Sequence, residues 1–204
     1  MKKSKFDTRR IVIIAMLSAV LLLMSFTPLG YMNIGPLAIS FNMIPVAIAA
    51  IALGPVEGMI LGCVFGITSY LQCLGIGGVS AMGVATFSIK PLGPILTFIQ
   101  RFVPRLLAGL LSGFIFKGVN KSGKSVVACF TTGFSAAFLN TILFMSALVL
   151  LFGRTEYVQG LINGKNVILW ICSFVGINAV VEMIACCLVV GAVGSALYKY
   201  LNRR

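Results

Sequence analysis

The sequence contains six apolar stretches, most of them long enough to cross a membrane as a helix. They fall at residues 10–27, 41–53, 56–72, 92–116, 125–152 and 167–201. A helix needs about 20 apolar residues to span a hydrocarbon core of about 30 Å. We therefore predict an all-α integral membrane protein, in which residues 1–204 form one domain of six transmembrane helices, the second of them short.

The basic residues predict how this bundle is oriented. The net charge is +12, and most of the basic residues lie in three clusters. The clusters are Lys2, Lys3, Lys5, Arg9 and Arg10; Lys117, Lys121 and Lys124; and Lys199, Arg203 and Arg204. Six crossings place all three on one side, which the positive-inside rule assigns to the cytoplasm together with both termini. The basicity therefore reflects orientation in the bilayer, not nucleic-acid binding.

Two connecting segments on the opposite, outer side are too apolar for ordinary solvated loops. Residues 28–42 are interrupted by proline and glycine, and residues 73–91 contain four glycines. Irregular backbone at membrane depth is tolerated only where it packs on protein or lines a cavity. We expect these two segments to form the walls or lid of a pocket that opens to the exterior.

Glycines recur at every fourth position of the third predicted helix, at Gly54, Gly58, Gly62 and Gly66. Gly109 and Gly113 repeat the spacing in the fourth. Small residues at this spacing let helix backbones approach closely, so the pattern predicts helix packing in preference to ligand contact.

Two arginines, Arg101 and Arg105, lie inside the fourth apolar stretch. An arginine at the bilayer centre costs about 2.5 to 3.5 kcal/mol on insertion scales, so each needs a partner. At a rise of 1.5 Å per residue, Glu182 lies about 21 Å and Arg105 about 20 Å from the outer ends of their helices. We predict that Arg105 and Glu182 form a structural ion pair.

Arg101 is then left without a protein carboxylate. Asn140, Asn178 and Gln100 are predicted at similar depth and can form hydrogen bonds, but none carries a negative charge. A guanidinium group suits a carboxylate in particular. These residues therefore predict a pocket for a small anionic solute, with Lys90 and Asn42 of the outer segments as further candidate ligands.

Other function classes are disfavoured by what the sequence lacks. It has no histidine, which serine–histidine and metalloprotease sites in membranes need, and its carboxylates are too far apart for paired acid–base chemistry. It has no Walker A motif for a nucleotide, and its cysteines lack metal-ligand spacing. We expect no catalysis, cofactor or metal site. A freestanding carrier or channel remains an alternative, although a channel usually needs a polar path across both leaflets.

Several motifs together resemble the S component of energy-coupling factor (ECF) vitamin transporters. They are AMLSA in the first helix, NMIPVAIAAIALGPVEGMILGCVFGITS, KPLGPI with PRLLAGLLSGFIF, and the late NAVVE. The pantothenate-type branch is the most similar, and the riboflavin-type branch is the nearest competitor. Where many relatives have histidine at the head of the second helix, this chain has Asn42.

The resemblance implies a multi-pass protein of the prokaryotic plasma membrane that captures a vitamin. It also implies two kinds of partner, a transmembrane scaffold subunit (the T component) and two cytoplasmic ATPases. In the family, a pair of alanines four residues apart in the first helix contacts the scaffold. Ala15 and Ala19 match that pair here.

Overall fold

The computed structural model describes residues 8–27, 30–33, 38–76, 80–89, 91–162 and 166–201. Its helices are α1 (Thr8–Ser25), α2 (Met43–Ala52), α3 (Pro55–Leu71), α4 (Ala81–Phe87), α5 (Gly93–Asn120), α6 (Ser125–Phe152), α7 (Glu156–Ile162) and α8 (Val167–Leu201). Two short strands, β1 (Tyr31–Asn33) and β2 (Ala38–Ser40), pair antiparallel between α1 and α2. The regular secondary structure of the described residues is therefore helical apart from this one hairpin.

Among the residues that the structure describes, five helices are long and apolar enough to cross a membrane. They are Thr8–Ser25, Pro55–Leu74, Gly93–Asn120, Ser125–Phe152 and the part of α8 from Val175 to Leu201. The second predicted span corresponds to α2, whose ten residues extend only about 15 Å. Almost every residue of α2 is buried. This helix is enclosed by the other helices, so it does not need the length of a lipid-facing span.

The hairpin β1–β2 explains why α2 is so short. Its last residue, Ser40, donates a backbone hydrogen bond to the carboxylate of Glu182 on α8. Glu182 lies 15 residues after the first residue of α8, which corresponds to about 22 Å along that helix. The hairpin therefore reaches a point well along α8, and the short helix α2 begins directly after it.

The second outer segment is more ordered than expected. Residues 73–91 were predicted to be irregular because of their glycines, yet they include the seven-residue helix α4. A 3₁₀ turn, Gln72–Leu74, links the end of α3 to this segment. Ser80 accounts for the start of α4, because its hydroxyl accepts a hydrogen bond from the backbone nitrogen of Gly83 at 3.3 Å and so caps the helix.

Glycine packing between α3 and α5 follows the prediction. A Cβ atom placed on Gly58 would lie 2.6 Å from the carbonyl oxygen of Gly109, and one on Gly62 would lie 2.5 Å from that of Arg105. The two backbones are thus in direct contact. Gly54 has a different role, since it precedes α3 with a φ of 130°, a backbone conformation that favours glycine.

Helix α1 is the most exposed of the spans but is fastened at both ends. At the basic end, Arg10 forms an ion pair with Glu57 in the first turn of α3. At the other end, the hydroxyl of Ser25 donates to Thr68 at 3.2 Å, and the side-chain amide of Gln72 donates to the carbonyl of Ser25 at 3.0 Å. Polar contacts with α3 and its 3₁₀ extension thus orient α1, while most of its side chains remain at least partly exposed.

Candidate functional site

One face of α5 carries most of the buried polar groups. Thr97, Gln100, Arg101 and Arg105 are all at most 4% exposed, and their spacing of three and four residues places them on the same side of the helix. The contact of Gly62 with the Arg105 backbone brings this face against α3. Close helix packing therefore positions both arginines inside the bundle.

Arg101 is held by two serine hydroxyls. One terminal nitrogen donates to Ser69 of α3 at 3.1 Å, and the other donates to Ser80, the cap of α4, at 2.9 Å. The guanidinium carbon lies 5.6 Å from the centre of the Phe144 ring. None of these three side chains carries a negative charge. Among the described residues Arg101 has no ion-pair partner, and its Nε atom has no hydrogen-bond partner.

Arg105 lies one turn deeper and has different surroundings. It donates to the carbonyl oxygen of Arg101 at 2.7 Å. Its guanidinium carbon lies 4.6 Å from the ring centre of Phe65 and 5.1 Å from that of Phe144. Cation–π contacts of this kind stabilise a cation most strongly where water is excluded. The surroundings of Arg105 are therefore largely those of a structural residue.

Glu182 has a hydrogen-bond partner that the sequence did not reveal. Its carboxylate accepts from the backbone nitrogen of Ser40 at 2.5 Å, and it also interacts electrostatically with Arg105. A backbone N–H at membrane depth must find an acceptor, and Glu182 supplies one. The expected ion pair with Arg105 stays a prediction, and the acid has a second role in holding the hairpin.

Several buried polar atoms have no hydrogen-bond partner within the described ranges of the chain. Besides Nε of Arg101 they are Ser40 Oγ, both amide atoms of Asn42, Thr97 Oγ1, both amide atoms of Gln100 and Asn140 Oδ1. Most buried polar groups in proteins are paired, because an unpaired one costs about 1–3 kcal/mol. Buried hydroxyls and amides of this kind are suited to a ligand that presents both donors and acceptors.

The predicted site residues occupy different positions in the bundle. Asn42 directly precedes α2 and is fully buried, and Asn140 of α6 is 6% exposed. Asn178 is half-buried on α8. Lys90 lies outside the described residues. The hydroxyl residues Ser69, Ser80, Thr97 and Ser40 were not predicted, and only Ser80 had a sequence signal, as a serine that precedes a helical apolar run.

Ala15 and Ala19 both lie on the exposed side of α1. The neighbouring Met16 and Leu23 are 64% and 67% exposed, which is consistent with a lipid-facing or partner-facing surface. Within the part of the chain that the structure describes, no three histidine, cysteine or acidic residues are grouped so that they could hold a metal ion.

Comparison with known proteins gives two kinds of match. The family described as "ECF transporter, substrate-specific component" matches residues 9–194. The Lactococcus lactis protein named pantothenic acid transporter PanT is 28% identical to the chain, with 99% of each sequence aligned. The pantothenate transporter PanT of Leuconostoc mesenteroides is 29% identical, with 98% of this chain and 97% of the relative aligned.

Proposed function

Because the chain belongs to the family of ECF transporter substrate-specific components, we propose that it captures pantothenate from the outer side of the plasma membrane. Members of this family are multi-pass, non-enzymatic transport subunits that act with an ECF module on a small substrate. The observation that carries the choice of substrate is Arg101, which is 4% exposed and has no acidic partner among the described residues.

The chemistry of pantothenate matches the groups around Arg101. The vitamin presents one carboxylate, one amide and two hydroxyls. A guanidinium group has five N–H donors, and the two serine hydroxyls account for only two of those of Arg101. The remaining N–H groups, including that of Nε, can donate hydrogen bonds to a carboxylate. The side chains of Asn42, Gln100, Thr97 and Asn140 would pair with the amide and hydroxyls.

The names of the two relatives also support pantothenate. Riboflavin is the competing vitamin, but it is uncharged and would leave Arg101 without a counter-charge. It would also favour aromatic walls, whereas the rings of Phe65 and Phe144 already lie against arginines. The comparison of the two vitamins is therefore a direct test.

The architecture that we propose has six crossings in a single membrane domain. Helix α2 and the hairpin β1–β2 together make the second crossing. The hairpin forms the floor of the pocket, and α4 covers Arg101 from the outer side. We further propose that Ala15 and Ala19 contact the transmembrane scaffold subunit, and that two cytoplasmic ATPases supply the energy for release.

Calorimetric titration with pantothenate, its alcohol analogue pantothenol, and riboflavin tests the substrate. A hydrogen bond to a charged group is worth about 1.5–3 kcal/mol, so Arg101→Gln should weaken pantothenate binding by roughly ten- to a hundred-fold or more. Arg101→Lys should recover only part, because it loses the two-pronged geometry. The exposed Arg154 offers a matched control, since Arg154→Gln should leave the affinity unchanged. Equal affinity for pantothenol, or tight riboflavin binding that is independent of Arg101, would refute the proposal.

A further inference from the structure

We propose that a groove at the basic end of the bundle binds the headgroup of an anionic glycerophospholipid. The groove has a volume of about 310 Å³ and lies where the ends of α2, α5 and α8 meet. It is remote from Arg101, and neither the proposed substrate nor the scaffold-binding alanines of α1 occupy it. Its lining residues are Ala50, Ile51, Ala52, Leu53, Gly54, Phe116, Lys117, Asn120, Lys121 and Tyr198.

The groove lies at the level of the lipid headgroups. Helix α5 has 28 residues and is about 42 Å long, which is close to the full bilayer thickness of about 40–45 Å with its polar regions. Lys117 and Lys121 are at its last turn and its end, so their side chains reach the headgroup region. The positive-inside rule places this end at the cytoplasmic leaflet, where anionic lipids attract basic segments.

The charges of the groove are unbalanced. Lys117 and Lys121 are four residues apart and both exposed, and they therefore lie on one face of α5. None of the described residues that line the groove is acidic. Neither lysine forms an ion pair in the described ranges, and Glu57, the acid nearest in sequence to the α2 side of the groove, is paired with Arg10. Two adjacent cations without an acid suit the phosphate of a lipid.

The remaining lining suits the rest of a glycerophospholipid. The side-chain amide of Asn120 donates to the Tyr198 hydroxyl at 2.8 Å, and the Tyr198 ring meets that of Phe116 edge-on, with 5.1 Å between centres. This wall combines an apolar part, the Phe116 and Tyr198 rings, with a polar part, the Asn120 amide and the Tyr198 hydroxyl. The last carbonyls of a helix receive no hydrogen bond within it, so Ala50 to Ala52 at the end of α2 offer acceptors for a glycerol hydroxyl.

Helix stability alone explains the groove only in part. A lysine in the last turn of a helix interacts favourably with the helix dipole, which accounts for Lys117 but not for an open groove between three helices. Basic pockets between transmembrane helices on the cytoplasmic side are known to bind anionic headgroups. The combination of two lysines, hydroxyl-accepting carbonyls and an apolar wall fits phosphatidylglycerol better than a zwitterionic lipid.

Native mass spectrometry of the detergent-solubilised full chain, titrated with phosphatidylglycerol, tests the proposal. Each lysine near an anionic surface should contribute about five-fold in affinity, so Lys117→Gln/Lys121→Gln should weaken binding by roughly thirty-fold. Lys124 is equally exposed but does not line the groove, so Lys124→Gln should change the affinity little. Phosphatidylcholine should bind weakly to all variants.

Three results would overturn the proposal. They are an equal loss of affinity in Lys124→Gln, no preference for phosphatidylglycerol over phosphatidylcholine, and competition by inorganic phosphate or glycerol phosphate at the lipid's own concentration. The last result would identify a site for a soluble phosphate. Because both lysine side chains are exposed, the double variant should lose little thermal stability in phosphatidylcholine, and cooperative unfolding there would show that a loss of affinity comes from the site and not from misfolding.

Discussion

The carboxylate of Glu182 on α8 accepts a hydrogen bond from the backbone nitrogen of Ser40 at 2.5 Å, across 142 positions of sequence. This bond joins the hairpin β1–β2 to α8, the longest helix that the structure describes. It pairs a buried acid with a buried backbone donor, in a region where neither group can form a hydrogen bond with water instead. We expect the position of the hairpin, and with it the start of α2, to depend on this side chain.

We predict that Glu182→Gln is milder than Glu182→Leu. Glutamine keeps an oxygen that can accept from Ser40, whereas leucine leaves that N–H unpaired at a cost of about 1–3 kcal/mol. Thermal unfolding in detergent should rank the proteins wild type, Glu182→Gln, Glu182→Leu in order of decreasing stability. Equal losses in the two variants would show that the hydrogen bond to Ser40 is unimportant and that the charge alone matters.

A double-mutant cycle measures the coupling of Glu182 with Arg105. If the two charges stabilise each other, Arg105→Met and Glu182→Gln should each be destabilising, and the double variant should lose less than the sum of both. A coupling of more than about 0.5 kcal/mol indicates direct interaction. Strictly additive losses would contradict the predicted pair.

We predict that the two serines bound to Arg101 control pantothenate affinity. Ser69→Ala and Ser80→Ala each remove a hydrogen bond to a charged group, worth about 1.5–3 kcal/mol. Ser80→Ala also removes the cap of α4, which is worth about 1 kcal/mol, so amide hydrogen exchange in α4 should accelerate in that variant only. Ser88→Ala at the opposite end of α4 is the control, because Ser88 is exposed and does not contact Arg101. Equal acceleration of amide hydrogen exchange in Ser88→Ala and Ser80→Ala would contradict the role of the cap.

Glycine substitutions test the close contact of α3 with α5. Gly62→Ala should be strongly destabilising, since its Cβ would lie 2.5 Å from a backbone oxygen of Arg105. Gly118 of α5 has no atom of the described residues within 4 Å of an added Cβ, so Gly118→Ala should be neutral or stabilising by about 0.5–1 kcal/mol. Thermal unfolding measures the change in stability of each variant relative to wild type. Similar effects at the two positions would show that helix propensity, not packing, dominates.

We predict that Ala15→Trp/Ala19→Trp abolishes pantothenate uptake but not pantothenate binding. Bulky side chains should prevent close approach of a partner helix, while the exposed face of α1 is not part of the polar cluster. Val180 on α8 is 50% exposed, and Val180→Trp should leave uptake intact. Uptake assays in cells and calorimetry on purified protein separate the two effects. Uptake that survives the double change would refute the docking surface.

The sequence by itself determined the environment and the class of this protein. The free energy of moving a segment into lipid depends mainly on its own residues, so long apolar runs identify membrane helices without knowledge of their neighbours. The glycine spacing of Gly58, Gly62 and Gly66 could likewise be recognised locally, because it places small residues on one face of a helix whatever lies opposite. Arg101 was recognisable for the same reason, as a charge inside an apolar run.

The tertiary structure decided which groups the buried charges meet. One helical turn is about 5.4 Å, and depth counting along separate helices cannot resolve which side chains face each other within a layer. Glu182 contacts Ser40, and Arg101 contacts Ser69 and Ser80. Depth along the helices would not have selected any of these three partners. The short length of α2 has the same origin. A buried helix needs only to fill the space that its neighbours leave, and the hairpin above it takes up the rest.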